Sequence, residues 1–151
     1  MNNYTKILAI FMAVPFFMAS TILLADETIA AKDLANLHKG EWLTVDVDGT
    51  GAADETNHTI SVADDGSVTG HTGCNSYTAM SVVDGVNLSF AQIKVTKEMC
   101  ESMFTQKAEK EFLAALGKAN TYNVNVNVMR IYDADMKEVL KLRRLGTFTI
   151  R

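Results

Sequence analysis

Short segments that alternate apolar and polar residues, separated by tight turn sequences, dominate the chain and restrict it to a mainly β fold. "EWLTVDV", "HTISVA", "SVTGHTG", "YTAMSVV" and "VNLSFA" follow one another before residue 92. Alternation with a period of two is typical of strands that bury one face. The intervening "DDG" and "DG" favour hairpin turns, because Asp and Gly tolerate the backbone angles that such turns require. The first half of the chain is therefore predicted to be an antiparallel sheet.

The strands continue after residue 120. In "TYNVNVNVMRIYDA" the alternation changes phase, which predicts either a bulge or a turn around Asn125 to Asn127. A last hairpin is expected to turn at "DADMKE" and to end in "VLKLRRL". There Lys141 and Arg143 alternate with leucines, and we interpret these charges as protection of an edge strand against aggregation.

One segment, "SMFTQKAEKEFLAALGK", has helical periodicity instead. Its apolar stripe consists of Phe104, Ala108, Phe112 and Ala115 or Leu116, and charged residues 107 and 109–111 cover the opposite face. Ser102 is predicted to cap the start and Gly117 to end the helix. The predicted fold class is α+β, mainly β: a curled antiparallel sheet with one packed helix.

The N-terminus has the features of a secretory signal peptide. Lys6 precedes an uncharged apolar run, Ile7 to Ala25, that ends in small residues before a polar boundary. We predict a signal peptide over 1–25, a leader over 26–37 and the folded domain over 38–151. The alternative is an uncleaved membrane anchor, since the run is close to a bilayer span in length. No cysteine lies at the boundary to carry a lipid, so a free periplasmic or secreted protein is expected.

Composition narrows the class of partner. The chain is 48% apolar over 151 residues, enough for one domain with a real core. Its formal net charge is −4 and it has no basic cluster, so a nucleic-acid partner is not expected.

The stretch "GHTGCNSYTA" contains Cys74, one of only two cysteines, and three kinds of site were considered for it. A nucleophilic Cys74 would need a base, but His71 lies three residues upstream, where side chains of an extended strand point to opposite faces. A zinc site would have to be drawn from five residues without paired ligand spacing. These are Cys74, Cys100, His38, His58 and His71.

A disulfide between Cys74 and Cys100 is the favoured interpretation, because exported proteins are oxidised. Gly70, Gly73 and Asn75 allow a sharp corner between strands, from which Cys74 can reach Cys100 at the entrance of the helix. Closing this loop of about 26 residues should stabilise the fold by roughly 3 to 4 kcal/mol in the chain-entropy model. No catalytic residue, metal ligand or cofactor is predicted.

These motifs resemble those of the META domain family, to which the heat-shock protein HslJ belongs. Gly73, Cys74, Asn75 and Tyr77 match its GCN-x-[YF] motif, and "TKEMC", Thr96 to Cys100, matches its T-x-x-x-C segment ahead of the helix. Trp42, the helix and a closing hairpin ending in "LKLRR" stand in the family's order over roughly residues 38–145. The chain departs from the family pattern at Ala79 and Glu98.

The resemblance implies a half-open barrel with one helix, no established enzymatic activity, and links to the bacterial envelope, heat shock and novobiocin tolerance. We therefore expect a non-catalytic exported domain, in the monomeric state, that contacts an envelope protein or lipid. One alternative is a binding module for an apolar or lipid ligand, lined by Phe90, Phe104, Phe112, Tyr122 and Met129. Another is an enzyme, either a thiol reductase or a hydrolase.

Overall fold

The computed structural model describes residues 38–51, 56–100 and 102–146. The predicted signal peptide (1–25) and leader (26–37) lie outside the described residues, and both stay predictions.

Within these residues, eight antiparallel strands form a ring, and one helix is inserted between the fifth and sixth strands. The strands are β1 (Gly40–Val47), β2 (Thr59–Val62), β3 (Ser67–His71), β4 (Ser76–Asp84), β5 (Asn87–Val95), β6 (Thr121–Asn125), β7 (Val128–Tyr132) and β8 (Glu138–Arg144), and the helix is α1 (Met103–Gly117). Each strand pairs with the next in sequence, and β8 pairs back with β1. The predicted fold class, a curled antiparallel sheet with one helix, is confirmed.

The ring is joined most weakly between β5 and β6. Their register contains a single pair, Asn87 with Thr121. Two backbone hydrogen bonds flank it, from Leu88 N to Asn120 O (3.0 Å) and from Tyr122 N to Val86 O (2.9 Å). The family resemblance implied a half-open barrel, whereas these strands form a closed one, and its narrowest closure lies between β5 and β6, the two strands that α1 connects.

The helix begins and ends close to its predicted bounds. Ser102 caps it, its Oγ accepting a hydrogen bond from Thr105 N at 3.1 Å, and the C-cap falls on Lys118, one residue beyond Gly117. Helical residues Phe112, Ala115 and Leu116 are buried. Because these residues lie near its C-terminal end, the helix is anchored to the sheet there.

The core fills the inside of the ring. Its largest fully buried side chains come from β1 to β5, β7, β8 and the helix, and they include Trp42, Ile60, Val68, Tyr77, Leu88, Phe112, Leu116, Met129, Ile131, Leu140 and Leu142. The sheet face that these residues share explains the alternating pattern of the sequence.

Two expectations drawn from the sequence pattern were wrong. Lys141 and Arg143 do not guard an edge, because β8 pairs with β7 on one side and β1 on the other. They alternate with buried Leu140 and Leu142 because the outer face of β8 is exposed to solvent. Phe104 does not belong to the buried stripe of the helix, since 54% of its surface is exposed.

The phase change after Thr121 is a turn and not a bulge. β6 ends at Asn125 and β7 starts at Val128, and the two strands pair directly across the turn. Val126 has a φ of +53°, in the left-handed region that a tight turn requires.

Candidate functional site

The motif residues meet at the corner between β3 and β4, where a disulfide joins Cys74 to Cys100. The bond spans 26 residues of sequence, and the two Cα atoms lie 5.5 Å apart. In the described part of the chain neither sulfur is a free thiol. The predicted disulfide is therefore present, and it fastens the corner to the segment that leads into α1.

Gly73 is required at this corner by its backbone. Its φ is +84°, and a Cβ placed there would lie 2.4 Å from the carbonyl oxygen of Thr56. The amide of Gly73 donates to Nδ1 of His71 at 3.0 Å. That ring nitrogen therefore serves the turn itself. With Cys74 in a disulfide, the pair of His71 and Cys74 has no thiol to activate.

Asn75 connects three parts of the fold through a side chain that is 3% exposed. Its Oδ1 accepts hydrogen bonds from Thr96 Oγ1 (2.9 Å) and from the backbone amide of Glu98 (2.7 Å). Its Nδ2 donates to the carboxylate of Glu109 on α1 at 2.9 and 3.2 Å. Since Glu98 contributes only its amide, the departure from the family pattern there leaves the contact intact.

Glu109 and Thr72 complete the cluster, and the sequence analysis missed both. The Glu109 carboxylate accepts hydrogen bonds from Thr72 Oγ1 and from Asn75 Nδ2. Thr72 is fully buried and its backbone amide donates to Asn75 O at 2.7 Å. Helical periodicity placed Glu109 among solvated charges, and no local pattern distinguishes it from Glu111. Only the docking of the helix against the corner reveals its partners.

Tyr77 is a structural anchor of the same motif. Its hydroxyl donates to the carbonyl oxygen of Thr59 at 2.9 Å, and its ring contacts Phe112 edge-on at a centroid distance of 5.8 Å. Burial raises the pKa of Tyr77 well above its usual range. The phenol therefore stays neutral at physiological pH and acts as a hydrogen-bond donor to β2.

Gly70→Ala is expected to lower the free energy of unfolding by about 1 to 3 kcal/mol, because overpacking forces the backbone apart. A Cβ at Gly70 would lie 2.1 Å from Thr59 O and 2.5 Å from a ring carbon of Tyr77. Gly117→Ala is the matched control: nothing lies within 4 Å of its Cβ, and alanine should stabilise the helix slightly. Urea unfolding of both variants measures the difference, and equal stabilities would contradict this account of the corner.

The three histidines do not form a metal site with the sulfurs. His58 stacks on Phe112 at 4.7 Å between ring centroids, and its side chain bonds the backbone of Thr72. His38 is buried against Tyr122 at 5.7 Å, where its carbonyl oxygen accepts from Trp42 Nε1. The zinc set considered from the sequence is therefore not assembled.

His58 predicts a pH dependence of stability. The pKa of His58 lies below its usual value of 6.5, and burial is the largest cause. As pH falls, His58 is therefore protonated in the unfolded state before it is protonated in the folded state. Stability from this group is complete above about pH 6.5 and declines below it, by at most about 1.4 kcal/mol per pH unit. Unfolding measured from pH 7.5 to 5 should show the decline. His58→Phe should remove it, and the same slope in both proteins would assign the response to other groups.

In the described part of the chain, the helix borders a cavity on each of two sides of the site. One of about 360 Å³ lies between α1 and the chain after β1, and its lining includes Val47, Thr56, His58, Phe104 and Ala108. The other, about 280 Å³, adjoins the disulfide and is lined by Gly73, Cys74, Glu98, Met99, Cys100 and Thr105.

The side chains predicted to bind an apolar ligand do not line one cavity. Phe112, Tyr122 and Met129 are buried in the core, and Phe90 packs against it. Phe104 alone of the five borders the larger cavity. The arrangement is a filled core with a bonded polar cluster at one corner.

The described residues define a small β domain with a disulfide cross-link. It consists of a ring of eight antiparallel strands and one helix, and the disulfide lies at the β3–β4 corner. The sequence model of the META domain matches residues 35–145, so the chain belongs to the META domain family. That family is not a known enzyme family. No curated protein matches the chain.

Solved structures share the fold at low sequence identity. An NMR structure of a protein from Burkholderia xenovorans is 21% identical, covers 79% of this chain and 88% of its own, and has a TM-score of 0.59. Another NMR structure is 16% identical, covers 75% of this chain and 92% of its own, and has a TM-score of 0.56. The crystal structure of a DUF4847 family protein from Bacteroides vulgatus is 17% identical, covers 74% of this chain and 94% of its own, and has a TM-score of 0.51. At these identities the likeness is one of fold.

Within the described residues, the structure contains no helix with the length and apolar character needed to cross a membrane.

Proposed function

We propose that this protein is a non-catalytic exported domain that supports the bacterial envelope under stress, including exposure to antibiotics of the novobiocin type. It acts by contact with an envelope protein or membrane component. Membership of the META domain family supports this function. The charge and apolar pattern of residues 1–25 supports the proposed export.

The observation that carries the proposal is that the motif side chains are engaged inside the protein. Cys74 and Cys100 bond each other, Asn75 bonds Thr96 and Glu109, and the Tyr77 hydroxyl bonds β2. A hydrolase or thiol reductase that uses cysteine attacks with a free thiolate, and in this structure the two sulfurs are bonded to each other. Its side chains hold the corner and the helix in place.

The segment that leads into α1 offers a surface for contact. Met99, Met103 and Phe104 are 95%, 86% and 54% exposed, within six consecutive positions. Flexible methionines adapt to varied partners, and exposed aromatic side chains are common at interfaces. The disulfide and the Ser102 cap fix the start of the helix beneath them.

Growth of a strain that lacks the protein tests the proposal. Loss should increase sensitivity to novobiocin and heat, and the wild-type gene should restore tolerance. Normal tolerance in the deletion strain would exclude the proposed role.

Paired variants then test the surface. Met103→Ser with Phe104→Ser should fail to restore tolerance at equal protein level, whereas the control pair Val82→Ser with Val86→Ser should succeed. Val82 and Val86 are each 55% exposed, so the control removes apolar surface elsewhere. Equal rescue by both pairs would show that the contact does not depend on the apolar side chains at the start of the helix.

Intact-mass measurement of the natively exported protein tests the predicted location and the ligand alternative together. A chain that starts near residue 26, without lipid and two hydrogens lighter than its reduced form, is expected. Native mass spectrometry should find no apolar molecule bound, because the ring interior is filled by side chains such as Trp42 and Met129. A retained signal segment would favour the membrane anchor, and a co-purifying lipid would favour the binding module.

A further inference from the structure

One group of potential metal ligands stands out in residues 38–51, 56–100 and 102–146. Sγ of Cys74, Sγ of Cys100 and a carboxylate oxygen of Glu109 all lie within 4.8 Å of one another. While the sulfurs are bonded to each other they are not thiolates, which are the form that binds metal ions. The group is therefore a ligand set only after reduction.

Asn75 places a hydrogen-bond donor beside all three members of this group. Its Nδ2 lies 3.6 Å from Cys74 Sγ, 3.9 Å from Cys100 Sγ and 2.9 Å from the Glu109 carboxylate. Donors in this position orient ligands and tune them for a metal ion.

We propose that reduction of the Cys74–Cys100 bond turns this corner into a binding site for a thiophilic divalent cation such as Zn²⁺. A dithiol reductant gives two electrons and two protons to the bond, which breaks into two thiols, and the reductant becomes a disulfide. The cation then binds both sulfurs as thiolates and releases two protons. The Glu109 carboxylate is the third ligand.

The geometry suits this chemistry. Zinc takes thiolate sulfur at about 2.3 Å and carboxylate oxygen at about 2.0 to 2.2 Å in tetrahedral sites, so two bound sulfurs stand about 3.8 Å apart. The Cα separation of 5.5 Å leaves both side chains free to reach one ion. The hydroxyl of Thr72 holds the carboxylate in position, and the adjoining cavity of about 280 Å³ gives reductant, ion and a fourth ligand water access to the sulfurs.

The metal ion would replace the covalent link between the same two elements. In the oxidised protein the S–S bond fastens the β3–β4 corner to the entrance of α1. In the reduced protein the ion would fasten the corner to both that entrance and the helix itself, through Glu109. Because binding to the folded state alone stabilises a protein, Zn²⁺ should restore stability that reduction removes.

Titration of the purified protein with Co²⁺ and Zn²⁺ tests the site. A phosphine reductant, which becomes a phosphine oxide, opens the disulfide without adding a competing thiol. The reduced wild type should bind one Co²⁺ with thiolate charge-transfer absorption, exchange it for Zn²⁺, and unfold at a higher temperature with Zn²⁺ than without. The oxidised protein should show none of these changes.

Glu109→Gln separates a built site from simple chelation by two thiols. It should weaken Zn²⁺ binding to the reduced protein by about tenfold or more, whereas Glu111→Gln, the same charge change on the exposed face of α1, should leave it unchanged. Equal affinity of wild type and Glu109→Gln would overturn the proposal, as would no binding by the reduced wild type. If reduction unfolds the chain, Zn²⁺ must restore the near-UV circular dichroism of the folded protein, and failure to do so counts against the site.

Discussion

The double variant Cys74→Ser, Cys100→Ser is expected to unfold with a free energy about 3 to 4 kcal/mol lower than that of the oxidised wild type. The disulfide closes a loop of 26 residues. In the chain-entropy model, its loss increases the conformational entropy of the unfolded chain and lowers the free energy of that state by this amount. Small domains have total stabilities of about 5 to 15 kcal/mol, so the change is a large share of the margin. Urea denaturation followed by circular dichroism measures it.

The reduced wild type, assayed without metal ions, is the matched control for this variant. It lacks the same bond but keeps both sulfur atoms, so its stability should agree with that of the serine pair within about 0.5 kcal/mol. In the deletion strain the serine pair should rescue tolerance in proportion to the amount of folded protein. A pair that is as stable as wild type yet gives no rescue would show that the cysteines act chemically and not as a structural link.

The elements of this fold could be predicted because their signals are local. Each of three correctly predicted features depends on a few neighbouring residues. These are the turn at Asp84 and Gly85, the N-cap at Ser102 and the alternation along β2, β3 and β4. Cys74 and Cys100 could be paired without a structure because only two cysteines exist. In each case the partner was either adjacent in sequence or had no competitor.

The features that sequence reasoning missed depend on long-range pairing. Nothing near Lys141 and Arg143 indicates that β8 finds partners on both sides, since one partner, β1, lies about a hundred residues earlier. Phe104 is exposed although it shares the helical spacing of Phe112, and only the packing of the helix against the sheet distinguishes the two. The bonds of Glu109 to Thr72 and Asn75 span 37 and 34 positions. A one-dimensional pattern does not distinguish Glu109, at the corner, from Glu111 in solvent.

Asn75→Ala is expected to lower the free energy of unfolding by about 2 to 4 kcal/mol, the second large effect in this protein. The substitution leaves the amide of Glu98 and the hydroxyl of Thr96 without this acceptor. It also removes one of the two donors to the Glu109 carboxylate, which keeps the hydroxyl of Thr72. These bonds are partly buried. A fully buried polar group that loses its partner costs about 1 to 3 kcal/mol, and water that reaches the exposed residues Thr96 and Glu98 recovers part of this. Asn123→Ala, an exposed asparagine on β6, is the control and should change stability by less than about 0.5 kcal/mol.

A double-mutant cycle then shows whether Asn75 acts through the helix or only through the corner. Asn75→Ala and Glu109→Ala remove the two ends of the same hydrogen bond, so their combined effect should be smaller than the sum, with a coupling of about 1 to 2 kcal/mol. The serine pair should leave this coupling in place, because the amide and the carboxylate meet directly at 2.9 Å. Additive effects would show that the helix is held by the disulfide and its core contacts alone, and that the amide of Asn75 serves only the turn and the segment from Thr96 to Glu98.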